Sequence, residues 1–343
     1  MKAMVLNKVC DLMHNHSPLT MIDIPIPKPN ANEILIKVSC CGVCHTELDE
    51  IEGRAMPAKF PVTLGHQVVG IVEDIGEGVK LFRGKERVGV AWIFSACGHC
   101  EYCVNGSENL CTSFQATGLD APGGYAEYMV VNENFAHVIP ENFSDAEAAP
   151  LLCAGAIGYR SLRLADITNG NTLGLTGFGA SGHLVLKMAR YLYPDSKIVV
   201  FARSDHEQDF ARSLGASWAG NGDEAPPFKA DAIIDTTPAW KTALKSLENL
   251  KPGGRLVINA IRKEEADKKS LLDLSYQNHL WMEKEIKSVA NLTRNDVKEF
   301  LKIASQIPIK PATETYDFKD ANKALLDLKH RHVRGAKVLL MKH

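Results

Sequence analysis

The hydrophobic and polar positions along the chain predict strands near its start and alternating strands and helices in its middle. Apolar runs at 34–38 and just after residue 67 predict β-strands. An apolar run at 173–176 is followed by a glycine-rich turn and then by 183–192, where apolar residues recur at helical spacing. The run at 198–201 and the segments "ADAIIDTT" and "GGRLVINAI" continue this alternation. It predicts an α/β fold with a doubly wound parallel sheet.

The glycine-rich turn has a spacing that is typical of nucleotide sites. Gly177, Gly179 and Gly182 form G-x-G-x-x-G between a predicted strand and a predicted helix. Such glycines allow the tight turn and the close approach of a pyrophosphate, which binds at the helix N-terminus. The alternative is a tight strand-to-helix turn without a ligand, but the position between strand and helix favours a dinucleotide site.

Length and charge indicate how many domains the chain has and which classes of partner it does not bind. A chain of 343 residues is long for one core, so two domains are expected. The net charge of −2 argues against nucleic acid or an anionic membrane as a partner. The N-terminal residues have the pattern of a first strand rather than of a signal peptide. With nine cysteines and no secretion signal, we expect a cytoplasmic protein with reduced thiols.

Four of the cysteines lie in one short loop, "CGHCEYCVNGSENLC". Cys97, Cys100, Cys103 and Cys111 are separated by two, two and seven residues. Four thiolates complete a tetrahedral shell around zinc and leave no open position, which is typical of a structural site. An iron–sulfur cluster also takes four cysteines, and four buried free thiols are a third possibility. We predict a structural zinc, so the chemistry must lie elsewhere.

A second, open ligand set is only suggested by the residues themselves. Cys44, His66 and Cys153 lie far apart in the sequence, and none forms a local motif. A lone histidine or buried cysteine is usually structural. Together, two sulfurs and one imidazole would leave zinc a fourth position for water or substrate, as catalytic zinc sites require.

Several segments together resemble the zinc-dependent alcohol dehydrogenases of the medium-chain dehydrogenase/reductase superfamily. They are "GVCHTEL", "GHQVVGIVEDIGEGV", the four-cysteine loop, "GGYAEY", "LLCAGAIGY" and "LTGFGASG", in the order of that family. The resemblance implies a catalytic zinc on Cys44, His66 and Cys153 and a structural zinc in the loop. It also implies a GroES-like β-rich catalytic domain over 1–152 and 291–343, and a Rossmann domain over 153–290.

The activity that this resemblance implies is hydride transfer between a nicotinamide dinucleotide and a primary or secondary alcohol, or its carbonyl. Zinc would act as the Lewis acid. The family also implies a homo-oligomer, either a dimer or a tetramer. A related polyol dehydrogenase is one alternative. Another is a zinc-braced nucleotide-binding redox sensor without catalysis, which would not need Cys44, His66 and Cys153 together.

The residues after Cys44 take their expected roles from the same resemblance. Thr46 is the hydroxyl that passes on the alcohol proton, and His45 contacts the cofactor phosphates. Glu47 steadies His66. Asp49 stands where many relatives have the histidine that ends the proton relay. Without the resemblance, each would be read as a turn residue or a solvated side chain.

The end of the second strand of the nucleotide half bears on cofactor choice. Proteins that bind NAD usually carry an acidic residue there for the ribose 2′-hydroxyl. This chain has Ala202, followed by Arg203. An alanine does not repel a 2′-phosphate and an arginine can pair with it, so we predict NADP rather than NAD. Alternatively, Arg203 covers the adenine or faces solvent.

Two further positions differ from family patterns, and a third resembles one. Gln67 replaces a glutamate that many relatives have beside the zinc histidine. Ala336 replaces a phosphate-binding arginine, for which Arg334 or Lys337 would substitute. Trp92 resembles an aromatic residue of the substrate pocket, although a core tryptophan is an equally simple explanation.

Overall fold

The computed structural model describes residues 1–307, 309–330 and 335–342. Short apolar or alternating segments of the described chain form these strands: β1 (Lys2–Leu6), β2 (Leu19–Asp23), β3 (Glu33–Val43), β4 (Val62–Thr63), β5 (Val68–Ile75), β6 (Arg87–Val90), β7 (Ile93–Ser95), β8 (Gln115–Ala116), β9 (Tyr128–Asn132), β10 (Ala136–Val138), β11 (Thr172–Thr176), β12 (Lys197–Phe201), β13 (Trp218–Gly220), β14 (Ala230–Asp235), β15 (Leu250–Ile258), β16 (Glu285–Ser288), β17 (Thr313–Asp317) and β18 (Ala336–Leu340).

Three of the helices follow Ser144, Ser204 and Thr293, whose hydroxyl oxygens accept a backbone N–H of the first turn. The α-helices of the described residues are α1 (His45–Ile51), α2 (Glu101–Val104), α3 (Asp145–Pro150), α4 (Ala156–Ala165), α5 (Ala180–Leu192), α6 (Asp205–Ser213), α7 (Trp240–Glu248), α8 (Arg294–Ala304) and α9 (Ala321–Lys329). None of these has the length and apolar character that crossing a membrane requires.

Two compact units divide the chain, and the first combines its two ends, Met1–Cys153 and Asn291–His343. Its largest sheet has the strand order β10-β6-β5-β3-β18-β17, with β9 also paired to β3. The C-terminal strand β18 lies antiparallel to β3, with Leu339 opposite Cys41. The C-terminal strand therefore belongs to the same sheet as β3, the strand that ends one residue before Cys44.

The second unit, Ala154–Ala290, is a parallel sheet of six strands with helices between them. The strand order is β13-β12-β11-β14-β15-β16, which is the order of the Rossmann fold. Strands β11, β12 and β14 are almost wholly buried, and this explains why they appear in the sequence as continuous apolar runs. The predicted α/β class with a β-rich domain and a doubly wound sheet is confirmed.

A buried ion pair closes the carboxyl end of β14. Lys263 Nζ lies 2.6 Å from Asp235 Oδ2 and also donates to the carbonyl oxygens of Thr237 and Ala239, each at 2.9 Å. The Asp235 side chain is fully buried. A buried carboxylate needs such partners, so this pair holds the loop after β15 against the end of β14.

Candidate active site

The fold brings Cys44, His66 and Cys153 together. Cys44 is the residue before α1, His66 precedes β5, and Cys153 lies in a π-helical turn, Leu151–Gly155. Their ligand atoms all lie within 4.8 Å of one another, and the two sulfurs are 4.0 Å apart. Two sulfurs bound to one tetrahedral zinc at about 2.3 Å would be about 3.8 Å apart, so the spacing fits zinc.

Glu47 connects two of the three ligand residues. Its Oε2 accepts a hydrogen bond from Cys44 N at 2.8 Å, and its Oε1 lies 2.6 Å from His66 Nδ1. Both side chains are buried. The second ring nitrogen of His66, Nε2, is buried and has no hydrogen-bond partner among the described residues. A carboxylate on one ring nitrogen leaves the other available to a metal, as in many zinc sites.

The surroundings of the two sulfurs shift their pKa values in opposite directions. A hydrogen bond with Cys153 and the adjacent His66 hold the pKa of Cys44 well below that of an ordinary thiol, although burial works against this shift. The same hydrogen bond and burial raise the pKa of Cys153. A lowered thiol pKa favours the thiolate, which is the form that binds a metal.

The residues after Cys44 lie on α1, and each has a distinct environment. His45, the first residue of the helix, is exposed. Thr46 is buried, with Oγ1 3.5 Å from Cys44 Sγ. Asp49 is buried too, and its carboxylate accepts a hydrogen bond from Arg54 Nε at 2.5 Å. Thr46 thus lies beside a ligand residue, whereas Asp49 is held by the Arg54 guanidinium.

Gln67 follows His66 and is turned toward β3. It is buried, and a Cβ built on Gly42 would lie 2.1 Å from Gln67 Oε1. The side-chain amide therefore occupies space that only a glycine at position 42 leaves open. The Gly42 N–H also donates to the Gln67 carbonyl oxygen at 2.9 Å, which holds Gln67 against β3.

Two buried polar residues near the site were not foreseen. Glu50 is fully buried, and neither carboxylate oxygen has a hydrogen-bond partner among the described residues. Burial, together with the nearby Glu47, raises its pKa well above the usual range. Tyr125 is also fully buried, and no described residue bonds its hydroxyl. Glu50 follows Thr46 by four residues and so shares its helix face, which is the one signal that the sequence offered.

The four loop cysteines form a second, closed ligand set. All four sulfurs lie within 4.8 Å of one another, and those of Cys97 and Cys103 are 3.8 Å apart. Backbone N–H groups point at the sulfurs, as from Cys100 to Cys97 at 3.4 Å. Such contacts, first from His99 and then from Cys100, lower the pKa of Cys97 to about 6. This geometry fits a structural zinc.

The cysteine loop is also attached to α8. Glu108, a buried residue of the loop, accepts hydrogen bonds from both the backbone N and Nε of Arg294, each at 3.0 Å. The Arg294 guanidinium lies 4.9 Å from the ring centre of Phe135. The loop is therefore bonded to the start of α8, a helix from the C-terminal part of the chain.

The glycine turn joins β11 to α5, and its three glycines have different surroundings. Gly177 has φ +83°, a conformation that favours glycine. A Cβ on Gly182 would lie 2.6 Å from the Gly177 carbonyl oxygen, so only glycine lets the helix approach. Gly179 faces open space and precedes α5 without a side-chain cap. These are the three roles that the dinucleotide fingerprint requires.

The other predicted residues lie as follows. Ala202 is buried at the end of β12, and Arg203 is exposed. Trp92 packs on Phe114, with ring centres 5.8 Å apart. Lys337 is buried, and its ammonium group bonds Glu314 and Tyr316 within the first unit, so it is not free to replace a phosphate-binding arginine. Arg334 lies outside the described residues.

Comparison with known proteins decides the family. Residues 30–141 match the alcohol dehydrogenase GroES-like domain, and residues 180–306 match the zinc-binding dehydrogenase family. The chain is 41% identical over 329 residues to "Probable alcohol dehydrogenase AdhA" of Mycobacterium tuberculosis (strain CDC 1551 / Oshkosh), which covers 94% of this chain and 93% of the relative. The chain belongs to the zinc-type alcohol dehydrogenases of the medium-chain dehydrogenase/reductase superfamily.

Two further similarities extend over nearly the whole dehydrogenase. An alcohol dehydrogenase of Geobacillus stearothermophilus is 32% identical over 351 residues, covering 100% of this chain and 99% of that protein. A solved cinnamyl alcohol dehydrogenase of Sorghum bicolor superimposes with a TM-score of 0.85 at 27% identity, covering 98% of this chain and 96% of that one. The predicted resemblance is therefore confirmed.

The glycine turn of this dehydrogenase yields a stability test. We expect Gly182→Ala to lower the free energy of unfolding by about 1–3 kcal/mol, because its Cβ would push α5 away from the Gly177 carbonyl. Gly179→Ala is the matched control, since its Cβ meets no atom within 4 Å. Urea unfolding of both variants measures the difference, and equal unfolding free energies would contradict the steric argument.

Proposed function

We propose that this protein is a two-zinc alcohol dehydrogenase that uses NADP in preference to NAD. The observation that carries the catalytic part is the convergence of Cys44, His66 and Cys153 from three distant segments into one open ligand set. A protein that only needed bracing would have the closed four-cysteine set alone. Zinc held by the open set supplies a Lewis acid for the alcohol or carbonyl oxygen, and NADP supplies or accepts the hydride.

The residues of α1 would handle the proton. Thr46 is buried beside Cys44, so its hydroxyl is well placed to hydrogen-bond the alcohol oxygen and to accept its proton. His45, which is exposed at the start of the helix, would contact the cofactor phosphates, the role that the family resemblance implies. Asp49 would end the relay. Its carboxylate is held in place by the Arg54 guanidinium.

Glu47 is a positioning residue in this proposal. By holding His66 Nδ1 and Cys44 N at once, its carboxylate fixes the ring orientation of one zinc ligand and the backbone of another. The four-cysteine loop would hold the second zinc. It has no open position for substrate, and its role is to stabilise the lobe that Glu108 attaches to α8.

Removing one ligand from each zinc site separates their roles. We expect Cys153→Ser to abolish alcohol oxidation while NADPH binding and the melting temperature change little. We expect Cys103→Ser to lower the melting temperature, because a structural zinc contributes folding free energy. Cys10→Ser, at a half-buried cysteine outside both sets, is the control.

Metal analysis accompanies both assays. The wild-type protein should hold about two zinc ions per chain and each ligand variant about one. A stable but inactive Cys103 variant together with an active Cys153 variant would show that the two sites were assigned the wrong way round. A single zinc in the wild type, with no turnover of any alcohol, would instead support a nucleotide-binding protein without catalysis.

The cofactor preference is proposed from Ala202 and Arg203. We expect Ala202→Asp to weaken NADPH binding far more than NADH binding, because a carboxylate would face the 2′-phosphate. Arg203→Ala should raise the KM for NADPH by about tenfold or more at low salt, as expected for losing one charge-assisted contact. KM values for both cofactors at a fixed aldehyde concentration provide the measurement. Equal effects on NADH and NADPH would mean that Arg203 only covers the adenine.

We also propose that the protein is a cytoplasmic homo-oligomer in which a second copy covers the edge of the parallel sheet. Strand β16 is exposed along its whole length, and no described strand pairs with its outer edge. Exposed apolar side chains lie around it, namely Tyr276, Trp281, Met282 and Ile286. An open edge with apolar neighbours is a natural pairing surface for a second chain.

A charge on this edge tests the assembly. We expect Ile286→Lys to shift the protein to monomers in sedimentation velocity runs, because two like charges would meet across a symmetric contact. Ile75→Lys, at another exposed isoleucine outside the second unit, is the control and should leave the assembly unchanged. An oligomer that survives Ile286→Lys would place the contact elsewhere.

A further inference from the structure

A cavity of about 150 Å³ opens at the carboxyl ends of β11, β12 and β13. Thr176 and Phe201, which are paired across β11 and β12, line it together with residues 221–223 and α7. The cavity has a simple topological cause. The connection from β13 to β14, residues 221–229, contains no helix that could cover these strand ends.

The rim of this cavity carries more positive than negative charge. Arg203, Lys241 and Lys245 line it, and so does one acid, Asp223. Lys245 is bound to Glu248 on the same helix at 2.9 Å. Lys241 instead reaches across the opening, with Nζ 3.6 Å from Asp223 Oδ1, and both of these side chains are more than 60% exposed.

The loop that presents Asp223 is held by its own hydrogen bonds. Asn221 N donates to Glu224 Oε1 at 2.8 Å, and Asp223 N donates to Asn221 Oδ1 at 3.3 Å. The Arg203 guanidinium, on the neighbouring strand end, has no partner within the described ranges. One cation of the rim is thus unpaired, and a second is paired only with an exposed acid on a fixed loop.

We propose that Lys241 is a second determinant of cofactor selection, which pairs with Asp223 in the free protein and with the 2′-phosphate of bound NADP. This inference rests on the proposed NADP preference. In Rossmann folds the dinucleotide binds outside the carboxyl ends of the strands, where this cavity lies. The adenosine would enter the cavity, and its 2′-phosphate would lie at the rim between Arg203 and Lys241.

Charge explains why the exchange favours the phosphate. An exposed lysine–carboxylate pair contributes little, because water and salt screen it. A phosphate monoester carries nearly two charges and three acceptor oxygens, and it can bind Lys241 and Arg203 at once. NADH offers only a hydroxyl at this point, so it has nothing to compete with Asp223. Lys241 would therefore favour NADPH over NADH, and its exposed pair with Asp223 would reduce this preference without cancelling it.

Titrating full-length protein with NADPH and with NADH tests this inference. We expect Lys241→Ala to weaken NADPH binding by about five- to tenfold and NADH binding by less than about twofold. Asp223→Asn removes the competing carboxylate and should tighten NADPH binding by about threefold. The control is Lys268→Ala, which removes an equally exposed lysine from its pair with Glu265, outside the cavity lining. Dissociation constants come from quenching of intrinsic fluorescence at low salt and at 0.5 M salt, with melting curves to confirm folding.

The outcomes separate this inference from the proposal on which it rests. A loss in Lys241→Ala that is specific to NADPH and shrinks at high salt supports it. Equal losses for both cofactors would overturn it, because Lys241 would then contact the adenosine and not the phosphate. Arg203→Ala losing NADPH selectivity while Lys241→Ala keeps it would overturn the role of Lys241 alone. A wild-type protein that binds NADH as tightly as NADPH would overturn the NADP preference itself.

Discussion

The Glu47 carboxylate is the interaction on which the candidate active site depends. It is fully buried, and it joins the backbone N–H of Cys44 to the imidazole of His66. A buried charge is tolerated only with such partners, so the first turn of α1 and the approach to β5 are held together. Because one group positions both residues, the geometry of the open candidate ligand set is built into the packing of the first unit.

The two candidate metal-ligand sets are assembled from the chain in different ways. The four cysteines come from one loop, which can wrap a metal with little help from the rest of the fold. Cys44, His66 and Cys153 come from a helix start, a strand approach and a π-helical turn. A set assembled in this way can leave one position open, since no local loop has to close around the ion. Glu108 then links the closed set to α8.

In the second unit, steric limits and charge act at the same edge of the sheet. Gly182 lets α5 approach the turn, and Gly179 leaves the helix N-terminus open to a pyrophosphate. A short connection after β13 leaves the neighbouring strand ends uncovered, and cations line the resulting cavity. The backbone of this turn thus has the geometry of a dinucleotide fingerprint, and the proposed choice between NAD and NADP rests on Arg203 and Lys241.

Structural features that depend only on residues close together in the sequence could be predicted from the sequence. The cysteine spacing, the glycine turn and the buried parallel strands follow from local geometry, and the structure has all of them. The open ligand set was different, because Cys44 and Cys153 are 109 positions apart and only family resemblance joined them. Tertiary packing alone decided that Glu50 is buried, that Lys337 is bound by Glu314 and that Lys241 meets Asp223. The pattern of neighbouring residues indicates the backbone conformation that a segment prefers. The partner of a side chain depends instead on which distant segment the fold brings beside it.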